Sequence, residues 1–305
     1  MINTIHRYLR VIIFFCALLQ ASVLAVNAQM HSLPQTFYDW IKSDQLKHAT
    51  VTLEISRDGK KVYCYDEDRL MAPASVMKLV TTATSLRLLG ADFVLPDSAA
   101  IIDTAQVALP GLECYNPDWL IEDIDTDYMP PLQNQLADSG RVLRDVVFDT
   151  NHESLNLQAE TLARLLHPSC SLDSALHTIT GYWEGQGLDM DCLCLYDGCG
   201  LAPSDRVTAH FIVELLHKMK DDEAFVQSLP VIGREGTLKR FLRDTRLAGR
   251  GRLKSGTLKT AVTYAGYLTG TNGKHYELCF MVNNYAGKAA DVRRGMEKVL
   301  LSLIP

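Results

Sequence analysis

The segment Ala72-Pro73-Ala74-Ser75-Val76-Met77-Lys78-Leu79 places a serine and a lysine three residues apart at the beginning of a helical pattern. Apolar residues recur behind Ser75 at the spacing of one helix face, and Gly90 stands where a glycine often ends a helix. Residues i and i+3 lie on one side of a helix with Cβ atoms roughly 5–6 Å apart, so the Lys78 amine can reach the Ser75 hydroxyl. The segment therefore predicts a nucleophile with its own base, at a helix N-terminus that favours negative charge.

The 305-residue chain has the composition of an ordinary globular protein, with 47% hydrophobic and 22% charged residues. This length allows one large domain or two closely packed ones. Because the net charge is −6, the chain lacks the basic balance of a nucleic-acid-binding protein, and no nucleic-acid partner is expected.

Residues 1–28 have the pattern of a secretory signal peptide. Arg7 and Arg10 precede an apolar run from 11 to 26, and Val26-Asn27-Ala28 offers small residues for cleavage. No later run approaches the roughly 18 apolar residues of a membrane span, so at most peripheral membrane contact is expected. The sequence predicts export, with a net charge of −8 once this segment is removed.

The cysteines and acidic residues do not indicate a metal site. Cys192-Leu193-Cys194 lacks the ligand spacing of a zinc site, and the acidic run at 121–125 lacks the glycine of a calcium-binding loop. Seven of the eight cysteines lie beyond residue 28, and the sequence leaves their disulfide pairing open. No metal and no cofactor are expected.

Two hairpins and two terminal helices indicate the architecture. Residues 49–56 and 61–65 flank an Asp-Gly turn, and residues 262–269 and 275–282 flank an Asn-Gly turn. Amphipathic helices at both ends can cover one face of an antiparallel sheet. We therefore predict an α/β fold with a sheet domain at 30–70 and 200–305. A mainly helical domain would span 71–199, with a loop-dominated insertion at 91–150.

Three short motifs follow one another along the chain, namely Ser75-x-x-Lys78, Ser154-x-Asn156 and Lys254-Ser255-Gly256. The first opens a predicted helix, the second precedes one, and the third lies at the edge of a β-rich segment. Motifs of this kind in this order are the signature of penicillin-binding proteins and class A β-lactamases.

Longer segments around these motifs resemble the class C, penicillin-binding-protein-4 type of D-alanyl-D-alanine carboxypeptidase and endopeptidase, in the serine penicillin-recognising superfamily. The similar segments are 73–83, 153–160, 197–201 and 229–238. In this family's pattern, Ser255 stands in place of the commoner threonine, and Cys199 and Ala202 replace serines. Only 75 residues separate Lys78 from Ser154, which is a shorter insertion than many relatives carry.

The resemblance implies a β-lactamase/transpeptidase-like fold and catalysis by acyl transfer. Ser75 would attack the carbonyl of the penultimate D-alanine, and Lys78 would accept its proton. Ser154 would relay a proton to the leaving amine, Asn156 would hold the substrate amide and Lys78, and Lys254 would supply positive potential for the terminal carboxylate.

The resemblance also implies the substrate-binding residues and the partners. Ser255, Gly256 and Thr257 would line the substrate, with the backbone N–H groups of Ser75 and Thr257 as the oxyanion hole. The expected partners are peptidoglycan stem peptides and acylating β-lactam antibiotics, in the periplasm of a bacterium or secreted from it. A serine β-lactamase and a weakly active wall-peptide-binding protein are the alternative functions.

Overall fold

The computed structural model of the protein describes residues 31–96 and 140–305. The expected signal peptide, the acidic run at 121–125 and Cys114 lie outside these residues. The strands within them are β1 Thr50–Arg57, β2 Lys60–Tyr65, β3 Leu193–Cys194, β4 Arg206–Val207, β5 Gly251–Leu258, β6 Ala261–Thr269 and β7 His275–Asn283. The helices are α1 Gln35–Ile41, α2 Lys78–Leu89, α3 Leu143–His152, α4 Asn156–Leu165, α5 Leu172–Gly185, α6 Ala209–Met219, α7 Glu223–Ser228 and α8 Ala289–Leu303.

Five of the strands form one antiparallel sheet in the order β2-β1-β7-β6-β5, while β3 and β4 form a separate two-stranded ribbon. Both predicted hairpins are present, as β1 with β2 and as β6 with β7. The sheet is larger than these two hairpins, because β5 adds a fifth strand at the edge. That edge strand carries Lys254, Ser255 and Gly256.

One face of the sheet packs against the two terminal helices. Leu53, Phe280 and Tyr264 are neighbours across β1, β7 and β6, and all three belong to a single buried cluster that also contains residues of α1 and α8. Between these helices, the Trp40 indole lies directly against Gly295, and its ring meets Phe280 edge-on at 5.8 Å. The N- and C-terminal helices therefore cover the sheet together, as the sequence predicts.

Replacing Gly295 with alanine is expected to lower the free energy of unfolding by about 1–3 kcal/mol, the usual cost of overpacking. A Cβ atom there would lie 1.9 Å from Trp40 Nε1, so the indole must shift. Gly181→Ala in α5 is the matched control, because no atom lies within 4 Å of its Cβ position and alanine favours helix. Denaturant unfolding of both variants measures the difference, and equal stabilities would contradict this account of the α1–α8 contact.

The opposite face of the sheet packs on helices that surround α2. Every residue from Lys78 to Leu86 is buried, so α2 has no solvent-exposed side in this stretch and forms the centre of the helical layer. Gly90 ends the helix with a positive φ of 84°, which glycine adopts without strain. This buried helix fixes the position of the segment that precedes it, which carries Ser75.

Two helices differ from the sequence predictions. Residues 143–150 belong to α3, so the prediction of a loop-dominated insertion over 91–150 was wrong at its C-terminal end. Residues 97–139 of that insertion lie outside the part of the chain that the structure describes. Leu143, Val146 and Val147 recur at helical spacing and are fully buried, which stabilises this helix against its neighbours. The α5 helix was not predicted at all. In the described part of the chain, no helix is long and apolar enough to span a membrane.

Candidate active site

Ser75 lies in a short 3₁₀ turn, Ala74–Met77, that leads directly into α2. Side chains at i and i+3 eclipse one another in a 3₁₀ turn, which aligns Ser75 with Lys78. The Lys78 Nζ atom lies 2.9 Å from Ser75 Oγ. Ala74, just before the serine, has a φ of 49°, a left-handed conformation that is unfavourable for alanine and recurs at functional sites.

Lys78 is fully buried and has three hydrogen-bond acceptors. Besides the serine, its Nζ donates to Asn156 Oδ1 at 2.7 Å and to the carbonyl of Cys199 at 2.8 Å. Burial lowers the pKa of Lys78, although the negative charges around it act in the opposite direction. A lysine with a lowered pKa reaches its neutral form more readily, and only that form accepts a proton.

Lys254 and Ser154 form a second pair beside the first. Lys254 Nζ donates to Ser154 Oγ at 2.9 Å and to the carbonyl of Ser255 at 2.8 Å. Burial and the nearby charge of Lys78 hold the pKa of Lys254 well below its ordinary value. Ser154 has a φ of 61° between α3 and α4, a strained geometry for a serine.

Gly256 lets the edge strand β5 approach the serine. A Cβ atom on Gly256 would lie 2.9 Å from both Ser75 N and Pro73 O, and 2.3 Å from Thr263 Oγ1. Thr263 also donates to the Pro73 carbonyl at 2.8 Å, which ties β6 to the same turn. The absence of a side chain at Gly256 thus lets the β5 backbone lie close to the Ser75 N–H.

The β5 side chains on either side of Gly256 contact two residues that were not predicted to belong to the site. Ser255 Oγ donates to Thr237 Oγ1 at 2.7 Å, and Arg293 Nη2 donates to Thr257 Oγ1 at 3.1 Å. Thr237 lies within 229–238, one of the segments that resemble the family, so the sequence could have marked it as a candidate site residue. Arg293 lies on the polar side of the last helix, where nothing in the local sequence marks it.

The Asp197 carboxylate organises the loop behind Lys78. It accepts backbone N–H groups at 2.5–3.0 Å from four successive residues, which are Cys199, Gly200, Leu201 and Ala202. This arrangement turns the Cys199 carbonyl toward Lys78. The Cys199 thiol is buried 3.6 Å from Asp197, so the cysteine contacts Lys78 through its backbone.

Glu160 adds a second acid behind this loop. Its Oε1 accepts the Gly198 N–H at 2.8 Å, and burial raises its pKa to about 7. Glu160, Asp197 and Cys199 offer ligand atoms within 4.8 Å of one another, a spacing that could hold a metal ion. Both Asp197 oxygens, however, already accept backbone N–H groups, so hydrogen bonding accounts for the position of the Asp197 carboxylate.

The structure brings all the sequence-predicted site residues to one place. Ser75, Lys78 and Asn156 form one hydrogen-bonded group, and Ser154 with Lys254 forms another beside it. Ser255, Gly256 and Thr257 lie along the strand that borders both groups. A serine bonded to a buried lysine, between an antiparallel sheet and a helical layer, is an arrangement in which the serine could be activated for acyl transfer.

Solved structures with this fold include penicillin-binding proteins and β-lactamases. Penicillin binding protein 4 from Haemophilus influenzae, solved also in complex with a β-lactam, superposes with a TM-score of 0.66 at 12% identity over 88% of this chain and 99% of that one. A class A β-lactamase from Bacteroides cellulosilyticus gives 0.61 at 16% identity over 90% and 98%. The predicted β-lactamase/transpeptidase-like α/β fold is confirmed.

The chain belongs to the D-Ala-D-Ala carboxypeptidase 3 (S13) family, whose model matches residues 37–96 and 141–302. It is 26% identical over 189 residues to the D-alanyl-D-alanine carboxypeptidase of Actinomadura sp. (strain R39), covering 59% of this chain and 34% of that protein. It is 28% identical over 146 residues to carboxypeptidase DacB of Mycolicibacterium smegmatis, covering 44% and 32%. The chain thus spans about a third of the length of these curated relatives.

Proposed function

We propose that this protein is a serine D-alanyl-D-alanine carboxypeptidase that cleaves peptidoglycan stem peptides through an acyl-enzyme and is acylated by β-lactams. The observation that carries the proposal is the 2.9 Å contact between Ser75 Oγ and the fully buried Lys78 Nζ. Burial favours the neutral amine, which is the form that can activate a serine. Membership of the S13 family supports the same reaction class.

In the proposed acylation step, Ser75 Oγ attacks the carbonyl carbon of the penultimate D-alanine while its proton passes to Lys78 Nζ. The carbonyl oxygen becomes negative and is stabilised by the backbone N–H groups of Ser75 and Thr257. The peptide bond then breaks, and the proton that Lys78 accepted passes to the leaving amine through Ser154 Oγ, which lies 2.9 Å from Lys254 Nζ. Ser75 is left as an ester of the shortened peptide.

In the proposed second step, water attacks this ester and releases the shortened peptide, and the proton from water returns Ser75 to its hydroxyl form. Asn156 holds Lys78 in place through its Oδ1 atom, 2.7 Å from Nζ. A β-lactam would also form an ester with Ser75. Because the amine released by ring opening stays tethered to the acyl group, hydrolysis of that ester would be slow. Cleavage of cross-links is a further activity that the same chemistry allows.

The proposed location is the periplasm or the exterior of a bacterial cell. The sequence pattern of residues 1–28 supports export, and peptidoglycan stem peptides lie outside the cytoplasmic membrane.

Labelling with a fluorescent penicillin tests this function. The wild-type protein is expected to take up one covalent label and to release D-alanine from a D-Ala-D-Ala peptide, because both reactions begin with attack by Ser75. Ser75→Ala is expected to lose both, whereas Ser169→Ala, an exposed serine away from Lys78, should keep both. A wild-type protein without label, or a Ser75→Ala variant that labels equally well, contradicts the proposal.

Two further outcomes of the same experiment correspond to the alternative functions. Fast turnover of the chromogenic β-lactam nitrocefin without release of D-alanine would identify a β-lactamase. Binding of D-Ala-D-Ala peptides without release of D-alanine would identify a wall-peptide-binding protein. Either result contradicts the carboxypeptidase assignment.

A further inference from the structure

Behind Lys78 lie buried side chains that can carry a negative charge, namely Glu160, Asp197, Cys199 and Asp205. Each of them acts electrostatically on the Lys78 amine. A charge in the protein interior is costly unless it is paired and hydrogen-bonded. The protonation of these groups therefore affects whether Lys78 is neutral or charged.

Asp197 has the contacts of an ionised carboxylate. Its two oxygens accept four backbone N–H groups of the loop at 2.5–3.0 Å. A carboxylate offers about four lone-pair positions. These contacts therefore fill both oxygens and leave no lone pair for a metal ion, and the negative charge of the cluster lies on Asp197.

Asp205 follows the same loop and is bonded to it. Its backbone N–H donates to the Ala202 carbonyl at 3.0 Å, while the Ala202 N–H donates to Asp197 Oδ2 at 2.6 Å. The Asp205 Oδ1 atom accepts the Tyr196 N–H at 2.8 Å. These bonds bring the side chain of Asp205 into hydrogen-bonding contact with the side chain of Asp197.

The second carboxyl oxygen of Asp205 has no donor. Oδ2 is buried and accepts no hydrogen bond from any group that the structure describes. An ionised oxygen in such a place carries the full cost of desolvation. Two carboxyl groups in contact repel each other when both are charged, and they form a hydrogen bond when one of them keeps its proton. Because backbone donors already fill Asp197, the proton belongs on Asp205.

The charges around Asp205 favour this proton. Burial, followed by the charge of Asp197, raises the pKa of Asp205 to about 9. Arg206 is the next residue, and its Nη1 atom donates to the backbone carbonyls of Pro203 and Asp205. The arginine thus bonds the backbone of this turn, while the carboxyl faces Asp197.

The other titratable groups of the cluster differ from Asp205. Glu160 also has a buried oxygen without a partner, but burial raises its pKa only to about 7, since the charge of Arg164 one turn along α4 acts in the opposite direction. Burial raises the pKa of the Cys199 thiol well above its ordinary value, so the thiol stays neutral. Asp205 is therefore the acid whose proton both completes a hydrogen bond and removes a negative charge from the surroundings of Lys78.

We propose that Asp205 keeps its proton at neutral pH and donates it in a hydrogen bond to Asp197, and that this bond fixes the loop beside Lys78. Asp205 is thus a positioning residue, which acts on Ser75 through the loop and the lysine. The part that concerns the reaction rests on the proposed function, whereas the proton itself does not. When the proton is lost, a further negative charge appears behind Lys78, raises the pKa of this lysine and disfavours the neutral amine.

Asp205→Asn tests the proton through stability, because the amide has the shape of the protonated carboxyl and donates without titrating. Between about pH 5 and about pH 8 the folded wild-type protein should hold a proton that the unfolded chain has lost, so its stability falls as pH rises. The ratio of folded to unfolded protein in Asp205→Asn, relative to wild type, should therefore rise by up to about tenfold for each pH unit. Denaturant unfolding at a series of pH values measures this ratio. Asp189→Asn, at an exposed aspartate before β3, is the matched control and should keep the wild-type profile.

Penicillin labelling follows the effect of the same proton on Ser75. In the wild-type protein the acylation rate should fall by about 3- to 10-fold above about pH 9, because ionised Asp205 raises the pKa of Lys78. Asp205→Asn should lack this fall, since the amide stays neutral. A merely structural role of Asp205 would lower the rate by the same factor at every pH, and that result overturns the assignment.

The wild-type protein supplies the measurement if Asp205→Asn does not fold. Its infrared spectrum should contain the C=O band of a protonated carboxyl that disappears near pH 9, and a spectrum without this band contradicts the proposal. A stoichiometric metal ion in the purified protein, with equal stability profiles for wild type and Asp205→Asn, also overturns it, because the ion would then neutralise the acids. If the wild-type protein takes up no penicillin label at any pH, the proposed function fails, while the stability profile still decides whether Asp205 carries the proton.

Discussion

Lys78→Met is expected to lower the rate at which a β-lactam acylates Ser75 by about 10²–10⁴-fold, the usual contribution of a positioned general base. Methionine fills a similar volume and has no group that can accept the serine proton. The variant should nevertheless fold, because it removes a fully buried amine from the core and replaces it with an apolar chain. Stopped-flow labelling gives the rate, and thermal unfolding confirms that the variant is folded.

Lys78→Arg distinguishes a base from a mere positive charge at this position. Arginine retains the charge beside Ser75 but cannot give up its proton in a protein, so it should be as inactive as Lys78→Met. If Lys78→Arg acylates at the wild-type rate, proton acceptance by Lys78 is contradicted. Lys47→Met, at an exposed lysine in an ion pair with Asp44, is the control for loss of a lysine.

The pH profile of the wild-type protein supplies an independent readout of the same step. Only neutral Lys78 accepts the proton, so acylation should fall as pH decreases through the pKa of this lysine. Burial lowers that pKa, which moves the fall toward lower pH than an exposed lysine would give. The fall should be absent from the residual rate of Lys78→Met, measured between about pH 5 and pH 9.

Gly200→Ala is expected to be the most destabilising of the glycine substitutions considered, at about 3–5 kcal/mol, in the range of severe single mutations. Gly200 has a φ of 86°, and a Cβ atom there would lie 1.9 Å from the Ala74 carbonyl oxygen. The contact would join the new Cβ atom to a backbone carbonyl, and neither group can move away by rotating a side chain. The displaced turn carries Ser75, so acylation should fall together with stability.

Gly187→Ala separates the destabilisation caused by the steric contact from that caused by the left-handed backbone conformation. Gly187 has a φ of 82°, similar to that of Gly200, but no atom lies within 4 Å of its Cβ position. It should therefore show only the strain of a left-handed alanine, about 1–2 kcal/mol, and keep its acylation rate. Denaturant unfolding and penicillin labelling of both variants make the comparison. Equal losses of stability would show that the contact with Ala74 is unimportant.

The sequence by itself determined the local features of this protein. Ser75 and Lys78 are three residues apart, so one turn brings them together whatever the rest of the chain does. The two hairpins follow from turn residues between β-rich runs, and the terminal helices follow from apolar residues at helical spacing. The resemblance of the surrounding segments to a known family then implied roles for Ser154, Asn156 and Lys254.

Only the tertiary structure decided the contacts between segments that are distant in the chain. Lys254 reaches Ser154 across 100 positions, and Arg293 reaches Thr257 across 36, distances over which no local pattern carries information. The pKa values of Lys78 and Lys254 likewise depend on burial by helices and strands from the whole chain. The sequence thus supplied the candidate reacting groups, whereas packing lowered the pKa values of both lysines and decided which side chains lie beside them, because burial and proximity arise only when the layers assemble.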